Sequence, residues 1–123
     1  MIRIMYRWTV NPGQEGVFAK AWTQGTKVIR ATVKGARGSL LLQSRKNPCE
    51  FVAIARWTSV ADWRAFRRGE KPALESFRAA AAVSQLQAVE LLSEVRDLRV
   101  LDASETSGQA AGVTPRVARS QGA

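Results

Sequence analysis

The sequence predicts a single α+β domain built in the order strand, helix, strand, strand, helix, strand. Three observations carry that reading. The opening segment Ile2 to Val10 alternates between two kinds of surroundings, Phe18 to Ile29 carries an apolar stripe at helical spacing, and two short apolar runs, Ser39 to Ser44 and Phe51 to Thr58, are joined by a turn. At 123 residues the chain is long enough for one well-buried core and short for two.

Each element follows from local chemistry. Ile2, Ile4, Tyr6, Trp8 and Val10 alternate with Arg3, Met5, Arg7 and Thr9, the period of a strand whose two faces differ. Asn11-Pro12-Gly13 ends it. Phe18, Trp22, Gly25 and Ile29, flanked by Val17, Ala21 and Val28, define a first helix up to about Lys34, with a kink expected at Gly25. Gly35 to Gly38 turn into the second strand, and Arg45-Lys46-Asn47-Pro48 connect it as a hairpin to the third. Ser59, followed three residues later by Asp62, is a helix start, because the hydroxyl accepts from a free backbone N–H and the acid complements the helix dipole. Trp63 and Phe66 share a face of that helix. Gly69 to Pro72 interrupt it, a further helical piece runs from about Ala73 to Ala82, and Val89, Leu91, Ser93 and Val95 alternate in a last strand.

This order is that of a ferredoxin-like split βαβ domain (βαββαβ), a four-stranded antiparallel sheet with its helices on one face. The opposite face then carries Val52, Ile54, Leu92 or their alternates, too apolar for water alone. A second copy, forming a homodimer, is the economical cover. The domain is expected to span residues 1–98. Residues 99–123 are rich in small and polar types, lack aromatics and show no period, so a disordered C-terminal tail is expected.

The net charge of +9 lies almost wholly in the domain, where residues 1–98 hold sixteen Lys/Arg against eight Asp/Glu. Arg64, Arg67, Arg68 and Lys71 cluster around the second helix and read first as a solvated face, with attraction of an anionic substrate or acidic carrier protein as the sharper reading. No run of apolar residues approaches a membrane span or a secretory signal, so a cytoplasmic protein is expected. Cys49 is the only cysteine and histidine is absent, which excludes an internal disulfide, a cysteine metal cluster and histidine catalysis, and leaves Cys49 without an activating base.

Across about Ile2 to Val95 the chain resembles the antibiotic biosynthesis monooxygenase family of small dimeric α/β-barrel proteins. The residues that carry the resemblance are the opening strand into Val10-Asn11-Pro12-Gly13, the helix with Phe18 and Trp22, Gly35-Ala36-Arg37-Gly38-Ser39, and Phe51-Val52-Ala53-Ile54-Ala55-Arg56-Trp57-Thr58-Ser59 before Trp63. The resemblance implies oxidation of an anthrone- or hydroquinol-like aromatic molecule to a quinone with O2, without metal or flavin. Such chemistry needs an apolar cavity, hydrogen-bond donors for an anionic oxygen and a nearby cation.

Carried over by position, Trp57 matches the family's hydrogen-bonding tryptophan and Arg78 its helix arginine after the proline, here Pro72. Trp63, Ala53, Phe51 and Tyr6 are the residues expected against the substrate, Tyr6 being the only phenol. Ala53 stands where quinone-forming members have an asparagine, and Trp63 replaces a tyrosine. A non-catalytic dimeric ligand-binding or scaffold protein of the same fold is therefore the alternative. Haem ligation is not expected without histidine. RNA-recognition modules share the element order, but Asn47-Pro48-Cys49-Glu50 stand where their stacking motif needs a basic residue, glycine, an aromatic and glycine, so nucleic acid is not an expected partner.

For several residues a plain structural role competes with a functional one. Trp8, Trp22, Phe18 and Phe66 are expected mainly in the core, Arg78 in a surface pair with Glu75, and Ala53 and Ala55 either beneath a close helix or below a cavity. The partner of the Trp57 indole N–H decides between core and pocket for that residue.

Overall fold

In a computed structural model that describes residues 1–100, the opening alternation becomes strand β1, Ile2–Val10. Its even-numbered side chains point into the core: Ile4 and Val10 are fully buried. Pro12-Gly13 then lets the chain reverse, Gly13 taking a positive φ of 85°, into helix α1, Glu15–Thr32. Phe18, Ala21, Gly25 and Ile29 form its buried stripe, at the spacing the sequence displays. α1 runs unbroken through Gly25. What Gly25 provides is room, because a Cβ there would stand 2.7 Å from the ring of Phe77.

Strand β2, Ala36–Gln43, and strand β3, Glu50–Trp57, pair antiparallel through the expected hairpin. Helix α2, Val60–Arg68, starts at Ser59, whose side chain accepts from the Asp62 N–H at 3.1 Å as the sequence pattern requires. Helix α3, Leu74–Ala82, follows, and strand β4, Ser84–Ser93, closes the domain. β4 begins five residues before the expected Val89, because Ser84 to Leu86 pair with Trp8 to Val10 although their side chains show no clear alternation. Between α2 and α3, Lys71 donates through Nζ to the carbonyls of Phe66, Arg67 and Gly69, which caps the end of α2, and Ala73 takes a left-handed conformation with φ of 62°.

The sheet order is β2-β3-β1-β4 and every pairing is antiparallel, as a split βαβ fold requires. Two registers shift by one residue. In β2 the extra residue falls between Ala36 and Ser39, at Arg37-Gly38, and in β4 it is Gln87, between the partners of Arg7 and Trp8. Two core clusters lie under the helices. One gathers Ile2, Ile4, Ile29, Trp57 and Trp63, and the other Val10, Phe18, Ala21, Phe51 and Ala80.

The face away from the helices carries Met5, Val52 and Ile54, half-buried, beside exposed Leu40, Leu42 and Leu92. The expected apolar outer face is thus present. At one end of it Glu94 joins Arg3 and Arg56 in charge-assisted hydrogen bonds of 2.9 to 3.1 Å. These bonds, led by the one to Arg56, hold the Glu94 carboxyl well down, at about 2. No helix among the described residues is long and apolar enough to cross a membrane. Apart from Arg99 and Val100, the expected disordered tail lies outside the described residues.

Candidate active site

Between the helices and the sheet lies a cavity of about 300 Å³, at the small end of the range that ligand sites occupy. Tyr6 and Trp8 from β1, Ala55 and Trp57 from β3, Ala36, Gly38 and Ser39 from β2, and Leu86 from β4 make its sheet side. α1 contributes the stripe Trp22, Thr26, Ile29 and Arg30, while Phe66, Lys71, Leu74 and Phe77 close it from α2, α3 and their connection. The room exists because small residues meet there. Ala55 sits opposite Ser39 in the sheet, and Ala36 and Gly38 flank the β2 bulge.

Most of this wall is aromatic or aliphatic, so its few polar groups stand out. Trp57 is only 3% exposed and packs its ring 5.4 Å from that of Phe66, yet its indole N–H has no hydrogen-bond partner among the described residues. Every side-chain nitrogen or oxygen among them that is wholly closed off from solvent has a partner, so this unpaired N–H is not closed off. The Trp57 N–H is therefore unpaired and not sealed inside protein, and the side chain that carries it lines the cavity. The hydroxyls of Thr26 and Ser39 likewise make no hydrogen bond within the described residues. Arg30, exposed, stands at the rim with Leu74 and Leu86. The Lys71 ammonium lies 5.3 Å from the centre of the Phe66 ring while it caps α2. Among the described residues neither aspartate nor glutamate lines the cavity, and the charged groups that do are positive.

Tyr6 brings the chain's one phenol to the wall. The Trp63 indole N–H donates to its hydroxyl at 3.2 Å, which leaves the phenolic proton free to be donated in turn. Burial pushes the phenol above its ordinary value, against the opposing effects of the Trp63 hydrogen bond and the Arg67 charge. Tyr6 thus stays protonated at neutral pH and acts as a donor. Its ring stacks on Trp8 at 5.7 Å, and Trp8 meets Phe18 edge-on at 5.2 Å, so the cavity wall is continuous with the second core cluster.

The family model for antibiotic biosynthesis monooxygenases matches residues 1–83. The chain belongs to that family. Members are generally small dimers acting on small molecules with O2. Among solved structures, the fold of this family member is similar to that of SnoaB, a cofactor-independent oxygenase from Streptomyces nogalater, at 23% identity and a TM-score of 0.67, covering 79% of this chain and 95% of that one. It is also similar to a Bordetella bronchiseptica protein described as an antibiotic biosynthesis monooxygenase, at 20% identity and a TM-score of 0.67, covering 77% and 97%. No curated protein matches the sequence with significance.

Within this family member, the residues expected at the site divide. Tyr6 and Trp57 both reach the cavity. Trp63 does not line it; it is buried behind Tyr6 and spends its N–H on the phenol. Phe51 lies six residues along β3 from Trp57, about 20 Å at strand rise, and packs 5.1 Å from Phe18 in the second core cluster. Ala53, 1% exposed, pairs with Tyr6 and Leu41 and is also outside the wall, so the cavity lies above Ala55 alone. Arg78 is exposed and neither lines the cavity nor pairs with Glu75 among the described residues, because Phe77 takes the inward position of α3. The cations actually present are Arg30 and Lys71. Trp8, Trp22 and Phe66, expected mainly in the core, form wall, whereas Phe18 is wholly core. Arg30 was detectable in principle, since Trp22, Thr26, Ile29 and Arg30 follow one helical stripe and a Thr and an Arg are out of place on an apolar one.

Proposed function

We propose that this protein is a cytoplasmic, homodimeric monooxygenase that oxidises an anthrone- or hydroquinol-like aromatic molecule with O2 and no metal or flavin. The observation that carries the reading is the unpaired N–H of Trp57, a side chain lining an aromatic cavity that has cations at its edge and no carboxylate among the described residues. Such a cavity favours a planar aromatic anion over its neutral form. For an anthrone, the methylene carbon loses a proton, and the resulting anion passes one electron to O2. The carbon radical and superoxide then combine into a peroxide. Protonation and loss of water break the O–O bond and leave a carbonyl at that carbon, so the CH2 group and O2 become C=O and H2O. Trp57 and Tyr6 donate hydrogen bonds to the substrate oxygen that carries the charge, and the Arg30 and Lys71 charges lower the cost of forming it. Among the described residues no wall residue is a carboxylate, and the chain has no histidine, so water or hydroxide takes the first proton.

The outer sheet face supports the dimer, because Leu40 and Leu42 on one edge strand and Leu92 on the other are exposed on it, with half-buried Val52, Ile54 and Met5 between them. The test is O2 uptake and quinone absorbance with a panel of anthrones, naphthols and hydroquinones. Turnover is expected with at least one tricyclic member, and Trp57→Phe is expected to lower kcat/KM about 10- to 100-fold, the worth of a hydrogen bond to a charged group. Binding without O2 uptake across the whole panel overturns the oxygenase and leaves a ligand-binding protein of the same fold.

A further inference from the structure

The chain has five readily oxidised rings, Tyr6 and four tryptophans. Tyr6, Trp8, Trp22 and Trp57 line the cavity, and Trp63 alone stands behind its wall, 7% exposed, reaching Tyr6 from α2. The Trp63 indole N–H donates to the Tyr6 hydroxyl at 3.2 Å, so the two rings are joined by one hydrogen bond whose proton belongs to Trp63. The phenolic proton is left for the cavity. Over the Trp63 ring lies the guanidinium of Arg67, its Cζ 5.1 Å from the ring centre, and Arg67 is exposed to solvent. Phenol, indole and cation thus run in that order from the cavity wall to the surface.

Hydrogen-atom chemistry fits this order, because a phenol and an indole each give up one electron and one proton at similar cost. When Tyr6 gives a hydrogen atom to a peroxyl radical in the cavity, ROO• becomes ROOH and Tyr6 becomes a phenoxyl radical. The Trp63 N–H then passes its proton across the hydrogen bond as an electron follows, which restores the Tyr6 hydroxyl and leaves a neutral indolyl radical. Arg67 favours loss of the proton together with the electron. A cation attracted to the face of a neutral indole is repelled by an indole radical cation, so the positive form is disfavoured there. A thiol in solution returns the hydrogen atom to Trp63, RSH becoming RS•. Trp8 also stacks on Tyr6, at 5.7 Å, yet it lines the cavity itself and makes no hydrogen bond to the phenol among the described residues, so it offers no route outwards.

We propose that Tyr6 and Trp63 form a hydrogen-atom relay that carries oxidising equivalents out of the cavity, a protective function separate from the hydrogen bond that Tyr6 donates to substrate. The proposal rests on the oxygenase reading for its oxidant, a peroxyl radical in which R is hydrogen or the substrate carbon. Such radicals form when superoxide is protonated, or when the carbon radical meets a second O2 instead of recombining. The relay itself is a property of the two rings.

Azidyl radicals made by pulse radiolysis oxidise tryptophan in preference to tyrosine, and tyrosyl absorption that grows in afterwards reports internal transfer, here to Tyr6 as the only tyrosine. This is the relay run in reverse across the same bond. In the full chain the tyrosyl band is expected to grow as the tryptophanyl band decays, at a rate independent of protein concentration and slower in D2O than in H2O. Trp63→Phe is expected to slow the transfer about tenfold and to abolish the isotope effect, whereas Trp8→Phe keeps both. No tyrosyl band, an unaltered rate in Trp63→Phe, or equal rates in H2O and D2O overturns the relay, and the isotope measurement needs no variant to fold. The protective role is read by counting turnovers before inactivation with an anthrone that is oxidised. Trp63→Phe is expected to be inactivated after about tenfold fewer turnovers, and equal lifetimes overturn the protection. If the transfer is seen but no anthrone, naphthol or hydroquinone is oxidised, the relay stands while the oxygenase, and with it the relay's oxidant, falls.

Discussion

Gly25→Ala tests how the helices set the size of the cavity. Gly25 is buried on α1 facing α3, and the added methyl carbon would stand 2.7 Å from Cζ of Phe77, 2.8 Å from Cε2 and 3.1 Å from Cε1. Carbon atoms rest comfortably at about 3.5 to 4.0 Å, so the ring must retreat by about 1 Å. Phe77 lines the cavity, and the space in front of its ring is the softest direction in which it can move. Two effects oppose each other in stability. Alanine is favoured over glycine inside a helix by about 1 kcal/mol, while overpacking costs about 1 to 3 kcal/mol. The net change expected in urea denaturation is therefore between no change and a loss of about 2 kcal/mol. Binding should respond more sharply. A tricyclic anthrone is expected to lose at least tenfold in affinity by fluorescence titration, while a single-ring hydroquinol stays within threefold of its original value. A variant that gains about 1 kcal/mol in stability and binds the tricyclic ligand unchanged would refute the reasoning, because Phe77 would then have moved away from the cavity.

Three other perturbations probe separate parts of the structure. Tyr6→Phe leaves the buried Trp63 N–H without its acceptor, and a loss of about 1 to 3 kcal/mol is expected in chemical denaturation. A loss below about 0.5 kcal/mol, the level of an ordinary surface substitution, would show that the bond contributes little. The Glu94 carboxyl is lowered from 4.5 to about 2 in the folded protein, so its stabilising effect is complete above pH 4.5 and is lost as the pH falls towards 2. Over that window the native protein should lose about 1 to 3 kcal/mol more than Glu94→Gln does; parallel pH profiles would contradict this. On the outer face, Leu92→Lys should convert a dimer to a monomer in analytical ultracentrifugation, and a dimer that persists at micromolar concentration would place the interface elsewhere.

The fold was more legible in the sequence than the site, for a physical reason. Strand β1 and helix α1 bury one side over many residues, so their periods are long enough to read, and Ser59 with Asp62 marks a helix start by local chemistry alone. β4 is an edge strand whose first residues, Ser84 to Gln87, are nearly all outside the core, and its beginning is set by pairing with β1 rather than by its own pattern. The cavity depends on how far side chains reach across a helix–sheet gap. Position on β3 pointed to Trp57, which lines the cavity, while Phe51 and Ala53 share its face and are too far along the strand or too small to reach it. Family position suggested Arg78, whereas the turn of α3 put Phe77 inward. Arg30 and Lys71 are brought to the cavity by packing between α1 and β2 and by the capping of α2, neither of which leaves a short motif.

The extra residue at Gln87 also bears on where this chain can change length. In an antiparallel sheet, deleting one residue from a regular stretch turns every following side chain to the opposite face. Deleting Gln87 would instead bring Leu86 and Ala88 into continuous register with Trp8 and Arg7, leaving Leu86 towards the helices and Leu92 on the outer side. The same holds for one residue of Arg37-Gly38 in β2. These two points flank the cavity on either side of the sheet, so insertions and deletions there can alter its width and twist while every other residue keeps its side. Divergence in substrate size can proceed by gain or loss of single residues at these positions, without rebuilding the core.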